Sequence, residues 1–378
     1  MQIKKKKHVV MGIMSGTSLD GVDFALCEIT PTDIKLKKLW STTYPKELRS
    51  RILAAASNWL SSYELAQLHH DLGRFYALKT PNVAFDYVGL HGQTVFHNPD
   101  RKNPATQQIG EPAYLAAKIK RPVICQFRNM DLAMGGQGAP LATLFHKKVF
   151  GKKGSVVAVN NLGGISNVTY LGGEKILSFD TGPANMLIDY AVERVTKGKK
   201  SFDEKGLIGA TGIPNQGLVN KWLKHLFFGK RPPKSTGRED FGPKYFEKTF
   251  KECKDLGLID SDIVATYTFF TAASIAKNYS MHLPTMPSLV VLSGGGASNP
   301  TLVKMIRQSL RAAEWKNKKI TKPLDVVTSD DLGWPNQSIE AAAFALLAYH
   351  TVTSRPGNLY KTTGASRPAI LGQITPAP

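Results

Sequence analysis

Cysteine is scarce in this chain. The three that occur in 378 residues, Cys27, Cys125 and Cys253, are far apart and odd in number. They form neither a disulfide framework nor a metal-ligand spacing, which suits a reducing compartment and an expected cytoplasmic location. Cys27 and Cys125 lie in apolar runs and read as buried small hydrophobes. Long apolar runs are absent too. No stretch reaches about 18 residues, so no membrane-spanning helix is expected. The start, "MQIKKKKHVVMGIM", has a basic tip and a short apolar run. It passes directly into a Gly/Ser knot without a cleavage-type segment, and reads as a lysine-tipped first strand rather than a signal peptide. Neither a "GxxxxGK[ST]" loop nor a "GxGxxG" fingerprint is present, which excludes P-loop and dinucleotide-binding architectures. Acidic residues are few. Asp and Glu total 29 against 49 Lys and Arg, a formal charge of +20. The basic residues fall in separate clusters, at 4–7, 147–153, 197–200 and 316–319, with no interleaved aromatics. They read as solvated lysine-rich surface that speeds encounter with small anions, and no nucleic-acid partner is expected.

What is present is an alternation of short strands and helices. Apolar residues make up 42% of the chain, and its length favours two domains. β-branched runs bounded by turn residues place strands near 8–14, 22–29, 34–41, 85–90, 122–127, 155–160, 166–171, 175–179, 288–293 and 324–328. Helices are expected near 46–59, 62–78, 111–120, 140–150, 184–196, 215–227, 243–254, 259–281, 299–313 and 337–350. The fold class is α/β. No linker or low-complexity tract separates the halves. "VVMGIMSGTSLDGVDFAL" (9–26) is echoed by "VVAVNNLGGISNVTYL" (156–171), each a strand, a small-residue turn and a strand. Two similar lobes are therefore expected, 1–140 and 141–378, the last helix packing back on the first lobe.

Four loops have the composition of phosphate cradles, in which glycine lets backbone N–H groups approach and hydroxyls add donors. They are "SGTSLDG" (15–21), "NNLGGISN" (160–167), "DTGPAN" (180–185) and "LSGGGASNP" (292–300). Each sits at a strand end. Asp180 lies between a strand and a helix. Two readings of it stay open, a helix N-cap and an ionised carboxylate able to accept a proton.

These stretches, with "GLHGQTVFHNP" (89–99), "QIGEPAYLA" (108–116), "FRNMDLAMGGQGAPL" (127–141), "PPKSTGRED" (232–240) and "QSIEAAAFALLA" (337–348), resemble the anhydro-N-acetylmuramic acid kinases. The resemblance runs from about Met11 to about Leu347. It implies two ribonuclease-H-like lobes of the actin, Hsp70 and sugar-kinase type around a central nucleotide cleft. It also implies a reaction: ATP phosphorylates 1,6-anhydro-N-acetylmuramic acid while water opens its anhydro bridge, in peptidoglycan recycling. By similarity Asp180 is the base that takes the proton of water. Gly16, Thr17, Ser18, Leu19, Asp20, Gly21, Val22 and Asp23 match the ATP motif. Gly163, Gly164 and Asn167, with Gly294, Gly295 and Gly296, line the nucleotide side. Mg²⁺ is implied, held largely by ATP oxygens and water, its protein ligands unassigned. Arg128, Thr94 and Glu340 are expected at the sugar, with Asp131 orienting Arg128. His91 and His97 read either as ligands or as satisfied turn residues. The partners implied are ATP and an anhydro amino sugar, with a homodimer. Two other readings are an ordinary amino-sugar kinase of the same fold and an ATP-gated binding module. The usual "DTGPGN" reads "DTGPAN" here, and the usual "ADFR" reads "CQFR". No function is legible in the lysine tip or in the tail "SRPAILGQITPAP".

Overall fold

The computed structural model describes residues 7–16, 19, 21–99, 102–313 and 323–378. Two compact units emerge, Met1–Val149 with Gln337–Pro378, and Phe150–Asn336. The first unit ends after Val149 rather than at 140, because the helix Thr143–Val149 packs on the helix Ser338–Val352. Lys148 also donates to the carbonyl of Pro31 at 2.7 Å.

Among the described residues there are twelve strands: β1 (His8–Ser15), β2 (Gly21–Ile29), β3 (Ile34–Thr43), β4 (Tyr87–Asn98), β5 (Ala105–Ile109), β6 (Val123–Cys125), β7 (Val156–Leu162), β8 (Ile165–Gly172), β9 (Lys175–Pro183), β10 (Leu289–Ser293), β11 (Asp325–Thr328) and β12 (Gln373–Thr375). The first unit orders them β12-β6-β4-β1-β2-β3, with β5 on β4. The second orders them β11-β10-β7-β8-β9. In each, an antiparallel three-strand meander is extended from its first strand by two parallel strands. That is the 3-2-1-4-5 order of a ribonuclease-H-like lobe, built twice. Short turns suffice for the antiparallel pairs, whereas the parallel pairs need helical crossovers. The echoed hairpins are β1–β2 and β7–β8, the opening pair of each sheet.

All ten expected strands form. β5 and β12 were not expected, because "ATQQI" and "QIT" are short and polar and exist as strands only through pairing with β4 and β6. The helix expected at 215–227 is two helices, Gln216–Trp222 and Leu226–Gly229. Charge has a structural use at one edge. β3 ends its sheet, and Lys35, Lys37 and Lys38 stand exposed along it, the composition that discourages further strand pairing. All three cysteines are buried and free.

The helix Ser338–Val352 is buried nearly all round, as its unbroken apolar composition requires. It lies directly on glycine. Gly12 of β1 and Gly89 of β4 are register partners. A Cβ on Gly12 would sit 1.8 Å from the Ala341 carbonyl oxygen, and one on Gly89 would sit 2.3 Å from that of Phe344. The two glycines form a notch that admits helix backbone, with Ala345 and Ala348 completing the close approach. Glu340 enters the first turn of this helix. Gly12→Ala is expected to lower the unfolding free energy by about 2–3 kcal/mol through overpacking. Gly164→Ala, where the new Cβ meets nothing nearer than 3.7 Å, is expected to change it by under about 0.5 kcal/mol. Urea denaturation of both variants checks the contrast.

Candidate functional site

In the second unit the chemistry gathers at the C-terminal end of β7 and the turn that follows it. Ser293, Asn161, Asn167 and Asp180 are successive register partners across β10, β7, β8 and β9. Paired residues share a face of a sheet, so these four form a polar row. The preceding residue of β7, Asn160, points the other way. It is fully buried and accepts from the Tyr279 hydroxyl at 3.0 Å while donating to Ser166 Oγ at 2.7 Å. Thr181 joins Ser166 at 2.6 Å. One face thus carries a satisfied buried network that braces the turn from below, and the other carries the candidate chemistry.

Asp180 lies within β9, five positions ahead of the helix Asn185–Val195, whose N-cap is Ala184. The capping reading therefore falls, because strand pairing continues to Pro183. The carboxylate instead accepts the Thr236 backbone N–H at 2.9 Å, and the Asp180 N–H donates to the Lys234 carbonyl at 3.1 Å. Loop 232–240 grips this residue from both sides. Burial pushes its carboxyl up to about 6, the Thr236 N–H opposing, Glu239 adding and Lys234 opposing. It is ionised at neutral pH and a better base than an ordinary aspartate.

The glycines sort by what surrounds them. At Gly163 an added Cβ would come no closer than 3.4 Å to anything, and at Gly164 no closer than 3.7 Å. Packing does not demand glycine at either. Their carbonyls accept the N–H groups of Ala184, Asn185 and Met186, tying the turn to the next helix. Gly294 has φ +79°, and a Cβ there would meet Asn161 Oδ1 at 2.4 Å. One on Gly296 would meet Asn185 Oδ1 at 2.6 Å. At those two positions the packing of the loop itself demands glycine. Gly295 is exposed, with its nearest neighbour at 3.6 Å. Ala184 has φ −124° and is fully buried, so the departure "DTGPAN" asks for no left-handed backbone.

In the first unit Arg128 is the centre. Its Nη1 donates to the Gly138 carbonyl at 2.7 Å, and its Nη2 to His91 Nε2 at 2.9 Å. His91 Nδ1 lies 3.3 Å from the Ser15 carbonyl. A carbonyl only accepts, so Nδ1 carries the proton and Nε2 is free to accept from arginine. Burial, then Arg128, push His91 down to about 3. It is a neutral, fully engaged imidazole, not a ligand. Burial brings Arg128 to about 10, Glu340 opposing, and it stays charged at neutral pH. Glu340 is exposed, and desolvation raises its carboxyl, Arg128 opposing and Asp23 adding. Thr94 is half-buried and accepts from Gln108 Nε2 at 3.3 Å. His97 bonds Thr106 Oγ1 at 3.0 Å and, mainly by burial, is neutral at pH 7, pushed down to about 4.

Asp131 is fully buried and does not touch Arg128. Oδ1 accepts from Asn358 Nδ2 at 2.8 Å and Thr363 Oγ1 at 2.7 Å, and Oδ2 from the Gly138 N–H at 2.8 Å. With both oxygens occupied, Asp131 is linked to Arg128 only through Gly138, whose carbonyl receives Arg128 Nη1.

The first cradle is anchored at its ends. Gln93 Nε2 donates to the Gly16 carbonyl at 3.1 Å, and Ser15 Oγ to that of Gly92 at 2.9 Å. Arg49 Nε donates to the Leu19 carbonyl at 3.1 Å. Leu19 and Val22 are core residues whose side chains pack in the hydrophobic cluster of the first unit. A Cβ on Gly21 would meet the Thr42 carbonyl at 2.0 Å, so β3 and not a ligand demands glycine there. Any contact of these three with a nucleotide would therefore be made by backbone. Asp23 accepts from Ser41 Oγ at 2.5 Å. Thr17, Ser18 and Asp20 lie outside the described residues. Residues not expected at the site are Asn161, Asn185, Lys234, Thr236 and Gly138. Their motifs were visible, but only pairing and loop packing bring them to the chemistry.

The model of the anhydro-N-acetylmuramic acid kinase family matches residues 8–377. The chain is 38% identical to the anhydro-N-acetylmuramic acid kinase of Picosynechococcus sp., over 97% of this chain and 98% of that one. It is 40% identical to that of Prochlorococcus marinus, over 96% and 98%. Against the enzyme of the same name from Caldanaerobacter subterraneus it is 35% identical, over 98% of each chain.

An NMR titration of the Asp180 carboxyl is expected to show a midpoint near 6. The sign for stability follows. The folded carboxyl holds its proton to higher pH than the unfolded one, at about 3.9, so this group lowers stability as pH rises from about 4 to 6. The melting temperature of Asp180→Asn, relative to the parent, is expected to rise over that window and level off above it. A flat difference contradicts the assignment.

Proposed function

This chain belongs to the anhydro-N-acetylmuramic acid kinase family, and from that premise we propose that it converts 1,6-anhydro-N-acetylmuramic acid, ATP and water into N-acetylmuramic acid 6-phosphate and ADP. The observation that carries the mechanism is the half-buried Asp180 carboxylate, gripped by loop 232–240 and raised to about 6. Asp180 takes a proton from water as the water oxygen bonds to the anomeric carbon. The anomeric bond to the bridging oxygen breaks, and that oxygen, now O6, attacks the γ-phosphorus as ADP leaves. Near pH 7 the carboxylate form predominates by about 10:1, so the base is ready without being strongly solvated.

The chain's other groups position and neutralise. Gly163, Gly164 and Gly295, free of packing demands, let phosphate oxygens approach the backbone. Asn161 and Asn167 offer amide donors beside Asp180. Arg128, charged and held on two sides, binds the lactyl carboxylate or a sugar oxygen. Glu340 accepts sugar hydroxyls, and Thr94 adds a hydroxyl contact. Among the described residues no group of three His, Cys, Asp or Glu side chains could hold a metal ion. A Mg²⁺ carried on ATP oxygens would supply charge neutralisation, and no step is assigned to it. Use of ATP, together with three buried free thiols, supports a cytoplasmic setting. The homodimer implied by the family is read by light scattering after gel filtration.

Asp180→Asn is expected to lower kcat by about 10³-fold or more while ATP affinity changes little, and parental kcat to rise with pH through about 6. In ¹⁸O-water one label is expected at the anomeric carbon. An unlabelled product, or turnover of N-acetylglucosamine without turnover of the anhydro sugar, overturns the reaction. Gly164→Ala is expected to raise the KM for ATP several-fold with stability unchanged.

A further inference from the structure

The tail beyond the helix Ser338–Val352 carries no motif of its own, yet it is laced into the loop beside Arg128. We propose that Asn358 and Thr363 of this C-terminal tail are positioning residues for the sugar site, acting on Arg128 through Asp131 and Gly138; the inference rests on the reading of Arg128 as a substrate ligand. Thr363 Oγ1 and Asn358 Nδ2 donate to Asp131 Oδ1 at 2.7 and 2.8 Å. The Gly138 N–H donates to Oδ2 at 2.8 Å, and the Gly138 carbonyl receives Arg128 Nη1 at 2.7 Å. The four bonds form one unbroken path from tail to guanidinium.

The path is rigid at every joint. Asp131 is fully buried, Thr363 is 1% exposed and Asn358 is 5% exposed. A buried carboxylate with neutral donors on both oxygens has one low-energy orientation, because any rotation leaves a donor or the charge unsatisfied. Gly138 has φ +67°, and an added Cβ would lie 3.3 Å from Arg128 Cβ. The tail is held to the same loop by backbone bonds, Gln137 N–H to the Thr363 carbonyl at 2.8 Å and Ser366 N–H to the Met134 carbonyl at 2.9 Å. Further along, Gly372, with φ +90°, packs on the Phe127 ring, and β12 pairs with β6 just ahead of Arg128. The neutral His91 holds the other Nη at 2.9 Å. Arginine fixed at both nitrogens still has one N–H on each to offer an oxyanion, and its aim depends on Gly138 staying in place. A shift of that carbonyl redirects the guanidinium without touching the nucleotide residues of the second unit.

The test uses the full chain, 1,6-anhydro-N-acetylmuramic acid and ATP. Thr363→Val removes the hydroxyl at nearly constant volume, and Thr363→Ser retains it. Thr363→Val is expected to raise the sugar KM about tenfold and leave the ATP KM within about twofold, with Thr363→Ser close to the parent. In an Arg128→Lys background Thr363→Val is expected to add no further rise, since the two act through one contact. A folded Thr363→Val with parental sugar KM, an equal change in both KM values, or full additivity with Arg128→Lys overturns the proposal. If Thr363→Val does not fold, Asn358→Ser, which withdraws the other donor, is read in the same way and by the same criteria. Parental sugar KM in Arg128→Lys alone would instead remove the reading of Arg128, a separate outcome.

Discussion

A helix can lie with its backbone against a sheet only where the sheet presents no side chains. In the first unit that condition is met at two paired positions, Gly12 and Gly89, under Ala341 and Phe344. Much of the unit follows from this contact. It brings a segment more than 300 residues away in sequence onto the first strand. It sets Glu340 in the electrostatic neighbourhood of Arg128 and Asp23. It also sets the Phe344 ring tilted against His91, with centroids 4.5 Å apart, helping to fix the imidazole that holds Arg128.

The second unit uses the same sheet plan without that contact. Its central helix, Asp260–His282, supplies polar groups to the sheet instead. Tyr279 and Asn278 reach Asn160 and the Thr181 carbonyl. These bonds brace the buried face, and the partner face can carry Asn161, Asn167 and Asp180 as a row. Alternation along a strand does the sorting. "NN" at 160 and 161 reads as a pair of similar residues, yet one braces and the other faces the chemistry.

The α/β class, the ten principal strands and the paired hairpins were legible, because short β-branched runs between small-residue turns have few other solutions. Asp180, Arg128 and Glu340 were legible as polar residues at strand or helix ends within specific motifs. The roles of glycine were not. Gly21, Gly163, Gly164 and Gly294 look alike in sequence, but Gly21 yields to the Thr42 carbonyl and Gly294 to Asn161, while Gly163 and Gly164 yield to nothing. Only neighbours from other strands distinguish them. The route from Asp131 to Arg128 was not legible for the same reason. A carboxylate three residues from an arginine suggests a direct pair, whereas three donors from the tail and the following loop claim both its oxygens.

By itself the sequence determined the α/β plan and the family, and it marked Asp180 as the candidate carboxylate, since these depend on local pattern and on residue types at strand ends. The tertiary structure alone decided which glycines serve packing and which leave space for a ligand. It also decided how His91 carries its proton, and that a featureless tail reaches Arg128 through a buried aspartate. Those outcomes depend on distances between segments far apart in the chain, where a shift of an ångström changes which hydrogen bonds can form.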